Sequence, residues 1–218
     1  MSAEKKIVTT DPGPSSSLIL NKNPSTLKEK FLIATLEIVA EKGPEGLSAS
    51  ELIKRTDSSK GALFHHFKTL EELCYSSLVY YVEFLSQNFH LKPTGNFKDC
   101  LINFTEDSKK RQFHMEYFNL AHFFRDRAMK DGRYQTLLCE AKDLQVAKLC
   151  DVLQPFLSSD TNKELIRPIA VFFIINLESI FYHSIFMGRA DLLEQQTQIL
   201  IQTTENLLLS SAIANSEK

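Results

Sequence analysis

The sequence contains few of the residues that interrupt helices. Only seven glycines and seven prolines occur in 218 residues, and several of them lie near the N-terminus. Short runs that alternate apolar and polar residues, as β-strands do, are almost absent. Hydrophobic residues make up 43% of the chain, which is enough to bury a sizeable core. These features predict an all-α protein.

An excess of positive charge is also missing. The net charge at pH 7 is −2, and residues 25–73 hold seven basic against eight acidic side chains. Proteins that bind nucleic acid through a broad positive field have strongly basic domains. DNA contacts by this chain must therefore depend on a few well-placed cations and on the N-termini of helices.

The cysteines and the N-terminus bear on location and chemistry. No pair among Cys74, Cys100, Cys139 and Cys150 has a metal-site spacing such as C-x-x-C, which favours free thiols in a reducing cytoplasm. The first residues lack the apolar segment of a secretory signal peptide. No nucleophile–base arrangement and no phosphate-binding loop is readable. We therefore expect no enzyme, no catalytic residue, no metal and no cofactor.

One apolar run is long enough to cross a bilayer. It covers the 19 residues from Ile169 to Met187. Asn176, Glu178 and His183 interrupt it, and ionisable groups are costly in lipid. We therefore expect a buried helix of a soluble cytoplasmic protein, with no membrane partner.

Helix signals divide the chain into four segments. Residues 1–24 are aperiodic and rich in Ser, Pro and Lys, which predicts a disordered N-terminal arm, and residues 214–218 form a tail. Residues 25–73 make a first helical domain and residues 74–213 a second. From residue 69 onward, across the boundary between the two domains, the helices are expected at about 69–89, 96–109, 112–129, 134–156, 161–187 and 190–213.

The first helix begins near Ser25 or Thr26, and the glycines and proline of residues 43–46 end it. Its apolar residues recur at the spacing of a single helix face. These residues are Leu27, Phe31, Ala34, Thr35 and Ile38. We therefore expect this helix to bury one face.

The most informative stretch covers residues 48–73. Ser48 is placed to cap a short helix, and residues 56–58 are the turn-forming triplet Thr-Asp-Ser. A second short helix, Ser59 to Phe67, buries Leu63 and Phe67 at i,i+4. Two short helices joined by a three-residue turn predict a helix-turn-helix, whose second helix enters the major groove of DNA.

This stretch also resembles a known family. Residues 59–68 read SKGALFHHFK and residues 71–73 are Glu-Glu-Leu, a pattern similar to the signature of TetR-type transcriptional regulators. The resemblance covers residues 26–73, where the order and spacing of three helices agree. It implies an operator-binding domain followed by a helical domain for ligand binding and dimerisation. With the capping serines included, the expected DNA-binding residues are Ser48, Ser59, Lys60, Gly61, Ala62, Phe64, His65, His66 and Thr69.

Three positions depart from the family pattern. Asp57 stands where the family usually has Gly, Phe64 where it has Tyr, and Leu70 where it has Lys. Asp57 adds a negative charge, and the other two remove partners for DNA phosphates. An alternative therefore stays open: a ligand-binding or interaction dimer on the same fold, with weak or lost DNA binding.

Beyond residue 73, two groups of aromatic residues surround a few polar ones. An apolar cavity with several polar groups is typical of a small-molecule site, although the same residues also suit core packing. The candidate ligand-binding residues are His114, Tyr117, Phe118, His122, Phe173, Asn176, Glu178 and Tyr182. An unpaired Glu178 would favour a cationic ligand, whereas the aromatic residues favour an apolar or aromatic one.

The last two predicted helices carry more apolar surface than one small domain can cover. Residues 161–187 are apolar nearly all round, and residues 190–213 are apolar on more than one face. Two copies that pair these helices into a four-helix bundle would bury the excess. We therefore expect a homodimer. The family resemblance implies the same pairing, with a repressor that a small effector releases from a palindromic operator.

Overall fold

The computed structural model describes residues 24–88, 93–112, 115–156 and 163–213. Within these ranges the chain forms nine α-helices, two short 3-10 helices and no strand, which confirms the all-α prediction. The α-helices are α1 (Leu27–Lys42), α2 (Ala49–Thr56), α3 (Lys60–His66), α4 (Leu70–Asn88), α5 (Phe97–Gln112), α6 (Met115–Ala128), α7 (Gly132–Leu153), α8 (Lys163–Phe186) and α9 (Ala190–Ile213). The predicted tail lies outside the described residues, as does the predicted arm apart from Pro24.

Side-chain caps fix the helix ends close to where the sequence predicts them. The hydroxyl of Thr26 accepts a hydrogen bond from the Glu29 backbone N–H at 3.1 Å and begins α1. Gly43, at φ 70°, ends the same helix. Asp131 caps α7 through the Arg133 N–H at 2.9 Å, so this helix begins two residues earlier than expected.

Helix α1 differs from its prediction, because it is buried on several sides. Beyond the expected stripe, Leu32, Ile33, Leu36 and Val39 are also buried. The reason is tertiary: α1 contacts α2 and α4, and α6 also packs along it. Only one of these neighbours follows directly in the sequence, so the pattern of α1 alone does not reveal the others.

One hydrophobic cluster joins the first domain to the second. It contains residues of α1 and α4, three residues of α6 and Tyr134 of α7. The side-chain amide of Asn119 on α6 adds a hydrogen bond to the Ala40 carbonyl of α1 at 2.7 Å. The boundary after residue 73 remains a prediction, and this cluster crosses it. The helix-turn-helix is therefore attached to α6 through α1.

A second large cluster fills the space among α5, α6, α7, α8 and α9. Helix α8 packs mainly on α9 and also on α7, yet both α8 and α9 leave large apolar residues exposed. We call these residues the α8–α9 apolar face: Leu165, Phe172, Ile175, Tyr182, Phe186 and Met187 along α8 and its end, with Ile199 and Leu207 on α9.

Helix α8 is also long and apolar enough to cross a membrane. Leu165–Phe186 has a mean hydropathy of 1.7, and 39% of its most apolar window is buried inside the protein. Length and composition alone carry this result, and core helices of soluble proteins share both properties. Ser184 on this helix is buried, and Glu178 forms an ion pair with Lys142 of α7.

The hydroxyl of Tyr80 on α4 ties that helix to the start of α1. It donates a hydrogen bond to Glu29 Oε1 at 2.7 Å, while the other carboxylate oxygen accepts from the Ser25 backbone N–H. Burial, and then the bond to Glu29, raises the pKa of this hydroxyl and keeps it protonated as the donor.

Removing this hydroxyl should destabilise the fold. We expect Tyr80→Phe to lower the free energy of unfolding by about 1 kcal/mol, because the buried Glu29 carboxylate loses a donor. Urea unfolding followed by circular dichroism measures the change. Tyr75→Phe on the same helix is the matched control, since no described residue hydrogen-bonds the Tyr75 hydroxyl. Equal effects of the two substitutions would contradict the assignment.

Candidate nucleic-acid interface and ligand cleft

The structure confirms the predicted helix-turn-helix. The Ser48 hydroxyl accepts from the Glu51 N–H at 3.2 Å and caps α2, and the Ser59 hydroxyl accepts from the Ala62 N–H at 3.1 Å and caps α3. Leu63 is 1% exposed, as the i,i+4 pattern predicts. Its partner in that pattern, Phe67, is also buried, and its ring meets the ring of Phe31 on α1 edge to face at 6.3 Å. This core holds α3 at a fixed angle to α1 and α2.

The turn between α2 and α3 requires a left-handed residue. Asp57 has φ 49° and ψ 55°, and no other non-glycine residue in the described part of the chain has a positive φ. Its N–H and that of Ser58 both donate to the Ile53 carbonyl, which ends α2. Glycine adopts this conformation without steric cost, which explains why the family pattern has glycine here.

Four residues of α3 point away from the core. Lys60, Gly61, Phe64 and His65 are exposed and lie on one side of the helix. Ala62 and His66 are half-buried, and the His66 ring lies 6.2 Å from that of Phe31. Of the predicted DNA-binding residues on this helix, His66 is therefore the one most committed to internal packing.

The hydroxyl groups that are predicted to contact DNA also cap helices. Thr69 is exposed and accepts from the Glu72 N–H at 3.0 Å. The Glu72 carboxylate accepts from the Lys68 N–H at 2.8 Å, which completes a variant of the capping box. Ser48 is half-buried, and its hydroxyl also meets that of Ser50 at 3.0 Å.

The fold does not require a glycine at residue 61. A Cβ atom added here would find no described atom closer than the Ser59 hydroxyl at 3.8 Å, so the fold itself leaves room for a side chain. Glycine within a helix costs stability relative to alanine. A glycine at an exposed position that the fold does not require suits the close approach of another molecule.

The charge count of this domain does not show which of its charges are paired inside the protein. The Arg55 guanidinium donates to Glu41 at 3.0 and 2.7 Å and lies 3.6 Å from Glu37. Lys42 pairs with Glu51 at 2.7 Å. Two of the seven cations and three of the eight carboxylates thus neutralise one another between α1 and α2.

Most of the remaining carboxylates are also engaged. Glu29, Glu71 and Glu72 all accept hydrogen bonds, which leaves Glu45 and Asp57 without a partner among the described residues. Five lysines of the domain form no ion pair with the described part of the chain: Lys28, Lys30, Lys54, Lys60 and Lys68. These five lysines are therefore the cations of the domain that remain available to a negatively charged partner.

The two remaining departures from the family pattern have different structural settings. Phe64 is 38% exposed and offers a ring without a hydroxyl. Leu70, the first residue of α4, is half-buried and packs against the core of the helix-turn-helix. Leu70 therefore contributes packing where a lysine would contribute a phosphate contact.

A cleft of about 300 Å³ lies between α6 and α8. Four of the predicted ligand-binding residues line it: Tyr117, Phe118, Glu178 and Tyr182. The cleft is also lined by residues that the prediction missed: Ala121, Arg125, Ile175, Ser179 and Phe181. Two of these, Ala121 and Arg125, follow the predicted residue Tyr117 at i+4 and i+8, and this spacing places them on the same face of α6.

The other predicted ligand-binding residues that the structure describes do not line this cleft. Phe173 is fully buried in the core, where its ring lies 5.9 Å from that of Phe104. Asn176 donates to the Phe172 carbonyl of its own helix at 2.8 Å. His122 is exposed on α6 and is not among the residues that line the cleft, and His114 lies outside the described residues.

Glu178 is paired with a residue that the sequence did not suggest. Its partner is Lys142 on α7. The arginines on either side of Glu178 in the sequence, Arg167 and Arg189, pair instead with Asp143 and Asp191. The reason for expecting a cationic ligand therefore falls away. Within the described ranges, no group of three His, Cys, Asp or Glu side chains is placed to hold a metal ion.

Comparison with known proteins agrees with this geometry. The family described as bacterial regulatory proteins of the tetR family matches residues 31–74. The N-terminal domain is of the TetR type. This match covers α2, α3, most of α1 and the start of α4, which are the elements that form the helix-turn-helix and its support.

Solved structures show that the similarity of fold extends beyond the TetR-type domain. A transcriptional regulator from Rhodococcus is 20% identical with a TM-score of 0.65, and 82% of this chain and 96% of that one are covered. GusR of Salmonella enterica is 18% identical with a TM-score of 0.62, covering 86% and 97%. NemR of E. coli in its reduced form is 16% identical with a TM-score of 0.61, covering 80% and 95%. No curated protein sequence matches the chain.

The left-handed turn gives a prediction about stability. We expect Asp57→Ala to lower the free energy of unfolding by about 1 kcal/mol, because alanine is strained at positive φ. Asp57→Asn should change it by less than about 0.5 kcal/mol, because asparagine tolerates this conformation. Urea unfolding of both variants checks the order. Equal destabilisation by the two substitutions would show that the carboxylate, and not the backbone, matters here.

Proposed function

We propose that this protein is a cytoplasmic, dimeric transcriptional repressor that binds a palindromic operator and releases it when a small apolar or aromatic molecule binds. The observation that carries the proposal is the TetR-type helix-turn-helix, whose α3 presents an exposed cationic and glycine-containing side. Nothing in the described part of the chain covers that side.

The exposed groups of α3 suit the major groove. Lys60 is long enough to reach guanine O6 and N7 or a phosphate. Gly61 lets the helix backbone approach closely, and the Ala62 methyl matches a thymine methyl. Ser59 and Thr69 lie at helix starts, where hydroxyl and backbone N–H groups donate to phosphates.

The α8–α9 apolar face supports the dimer. Its residues recur along α8 at spacings of seven, three, seven and four, so they form one stripe. Large exposed apolar patches are uncommon on monomers and mark interfaces. A second copy of the chain that packs its own α8 and α9 against this stripe would bury it in a four-helix bundle. Because Ile175 and Tyr182 belong to the stripe and also line the cleft, the second copy would close one side of the cleft.

A chain of contacts links the ligand cleft to the DNA-binding helices. Helix α6 lines the cleft and also carries Arg127, whose Nε lies 3.4 Å from Glu71 Oε2 near the start of α4. The Arg127 guanidinium stacks on the Phe123 ring at 3.7 Å, and the Tyr134 hydroxyl donates to Glu71 Oε1 at 2.5 Å. A ligand that displaces α6 would thereby move α4, whose first turn follows α3.

The proposed effect of this movement is on the spacing of the two recognition helices. Two half-sites of an operator lie about one helical turn apart, roughly 34–36 Å. A change in the spacing between the protomers' α3 helices weakens simultaneous binding to both half-sites. By linkage, ligand and operator would each lower the affinity for the other by the same factor.

A shift assay with DNA from the upstream region of its own gene, at two salt concentrations, tests the proposal. We expect a discrete complex that survives competitor DNA. Lys60→Ala should weaken it and lower the slope of log affinity against log salt by about 1, if Lys60 contacts a phosphate. Lys98→Ala on α5 is the matched control and should change neither quantity. Unchanged binding by Lys60→Ala would contradict this role.

The second candidate function is the interaction dimer with weak or lost DNA binding. The exposed Phe64 ring without a hydroxyl and the packed Leu70 favour it, since each replaces a phosphate-binding group of the family pattern. The same assay separates the two functions. A complex that vanishes with modest salt, or no complex, would favour the second.

Gly61→Ala should separate folding from binding. We expect it to raise the free energy of unfolding by about 0.5–1 kcal/mol, because alanine is the better helix former and has room here. It should also weaken the DNA complex, because the methyl group keeps the helix from the groove. Urea unfolding and the shift assay give the two readings. Unaltered DNA binding would mean that no close approach occurs at this residue.

A further inference from the structure

We propose that the cleft between α6 and α8 binds an aromatic carboxylate and that Arg125 binds the carboxylate group. The identification of this ligand as the effector rests on the proposed function, whereas the binding itself does not. The proposal depends on three observations: the charge balance of the cleft, its aromatic walls and the position of Arg125.

The charge balance leaves one cation. Among the nine described residues that line the cleft, only Arg125 and Glu178 carry a formal charge. The Glu178 carboxylate forms an ion pair with Lys142, which approaches from α7. Arg125 is exposed and has neither an ion pair nor a hydrogen bond with any described side chain. A ligand that enters this cleft therefore meets a net positive charge, which favours an anion.

Aromatic rings form the walls of the cleft. The Phe118 ring lies 5.7 Å from the Tyr117 ring on α6 and 5.7 Å from the Tyr182 ring on α8, and all three residues line the cleft. Phe186 does not line the cleft, but its ring stacks on that of Tyr182 at 4.5 Å. Ring faces and edges of this kind pack well against a flat aromatic ligand. The cleft volume of about 300 Å³ is at the small end for ligand sites, which suits a small aromatic molecule.

Arginine at this position is suited to a carboxylate. Its planar guanidinium can donate two parallel hydrogen bonds to the two carboxylate oxygens. Ser179 and the Tyr182 hydroxyl also line the cleft and have no hydrogen-bond partner among the described residues. Arg125 lies two residues before Arg127, the α6 residue that contacts Glu71 of α4. A ligand held by Arg125 thus acts on the part of α6 that reaches α4.

Isothermal titration of the full-length protein with 1-naphthoate and with naphthalene-1-carboxamide tests the proposal. The two probes have nearly the same shape, and only the first is charged. We expect naphthoate to bind at least about tenfold more tightly than the amide, because charge-assisted hydrogen bonds to arginine are the stronger ones. Arg125→Gln should weaken naphthoate by a similar factor and leave the amide unchanged. Arg125→Lys should retain part of the preference.

Arg189→Gln is the matched control, since Arg189 is an exposed arginine at the start of α9 that pairs with Asp191. It should bind both probes as the unaltered protein does. Equal affinity for naphthoate and the amide, an unchanged affinity in Arg125→Gln, or no naphthoate binding at millimolar concentration would each overturn the proposal.

A separate measurement keeps this proposal distinct from the proposed function. Naphthoate is added to the protein–DNA complex in the shift assay. Binding in the titration with release of DNA supports both the ligand class and the regulator. Binding without an effect on the complex supports the ligand site and contradicts its role as the effector site. An intact shift assay with no naphthoate binding contradicts the ligand class alone.

Discussion

The burial of α1 is the constraint on which the rest of the structure depends. Helices α2 and α3 contain eight and seven residues, and isolated helices of that length are not stable in water. They hold their shape because Leu52, Leu63 and Phe67 pack onto α1. The same helix also packs on α4 and α6. A single helix thus supports the helix-turn-helix and fixes its orientation relative to the C-terminal helices.

Ion pairs inside the TetR-type domain determine which of its charged side chains remain free. The Arg55 network and the Lys42–Glu51 pair consume carboxylates between α1 and α2. Glu71 is occupied by Tyr134 and Arg127 at the contact between α4 and the second domain. Most of the eight acidic residues that outnumber the seven basic ones in this domain therefore make contacts inside the protein. The lysines without ion-pair partners are left to define the charge that another molecule meets.

Local chemistry made much of the fold predictable from the sequence. Caps at Thr26, Ser48 and Ser59, and breaks such as Gly43, act within a few residues and fix the helix ends. The predicted burial of Leu63 and Phe67 is likewise set by spacing along one short helix. The similarity to the TetR-type family added the domain's identity. Aromatic residues of α6 and α8 lie next to each other, with the rings of Phe118 and Tyr182 5.7 Å apart.

What escaped prediction depends on contacts between distant parts of the chain. The sequence of α1 does not show that α6 covers its other side, so its burial was underestimated. Phe173 and Asn176 were predicted to bind a ligand because aromatic and amide side chains are typical of ligand sites. Which residues of α8 line the cleft depends instead on how that helix is rotated relative to α6. The Lys142 partner of Glu178 lies 36 residues away, and no local pattern connects the two. Arg125 was missed because a single exposed arginine carries no motif.

The left-handed turn between α2 and α3 has a consequence for how such a protein can diverge. At Asp57 the backbone accepts aspartate, asparagine or glycine with little difference in folding cost. The first carries a negative charge and the other two do not. In the proposed complex this residue lies beside the DNA backbone, so exchange among the three changes affinity for every operator without discriminating between sequences. Over generations, the strength of DNA binding can thus drift at this one residue while the base-reading side of α3 stays under separate selection.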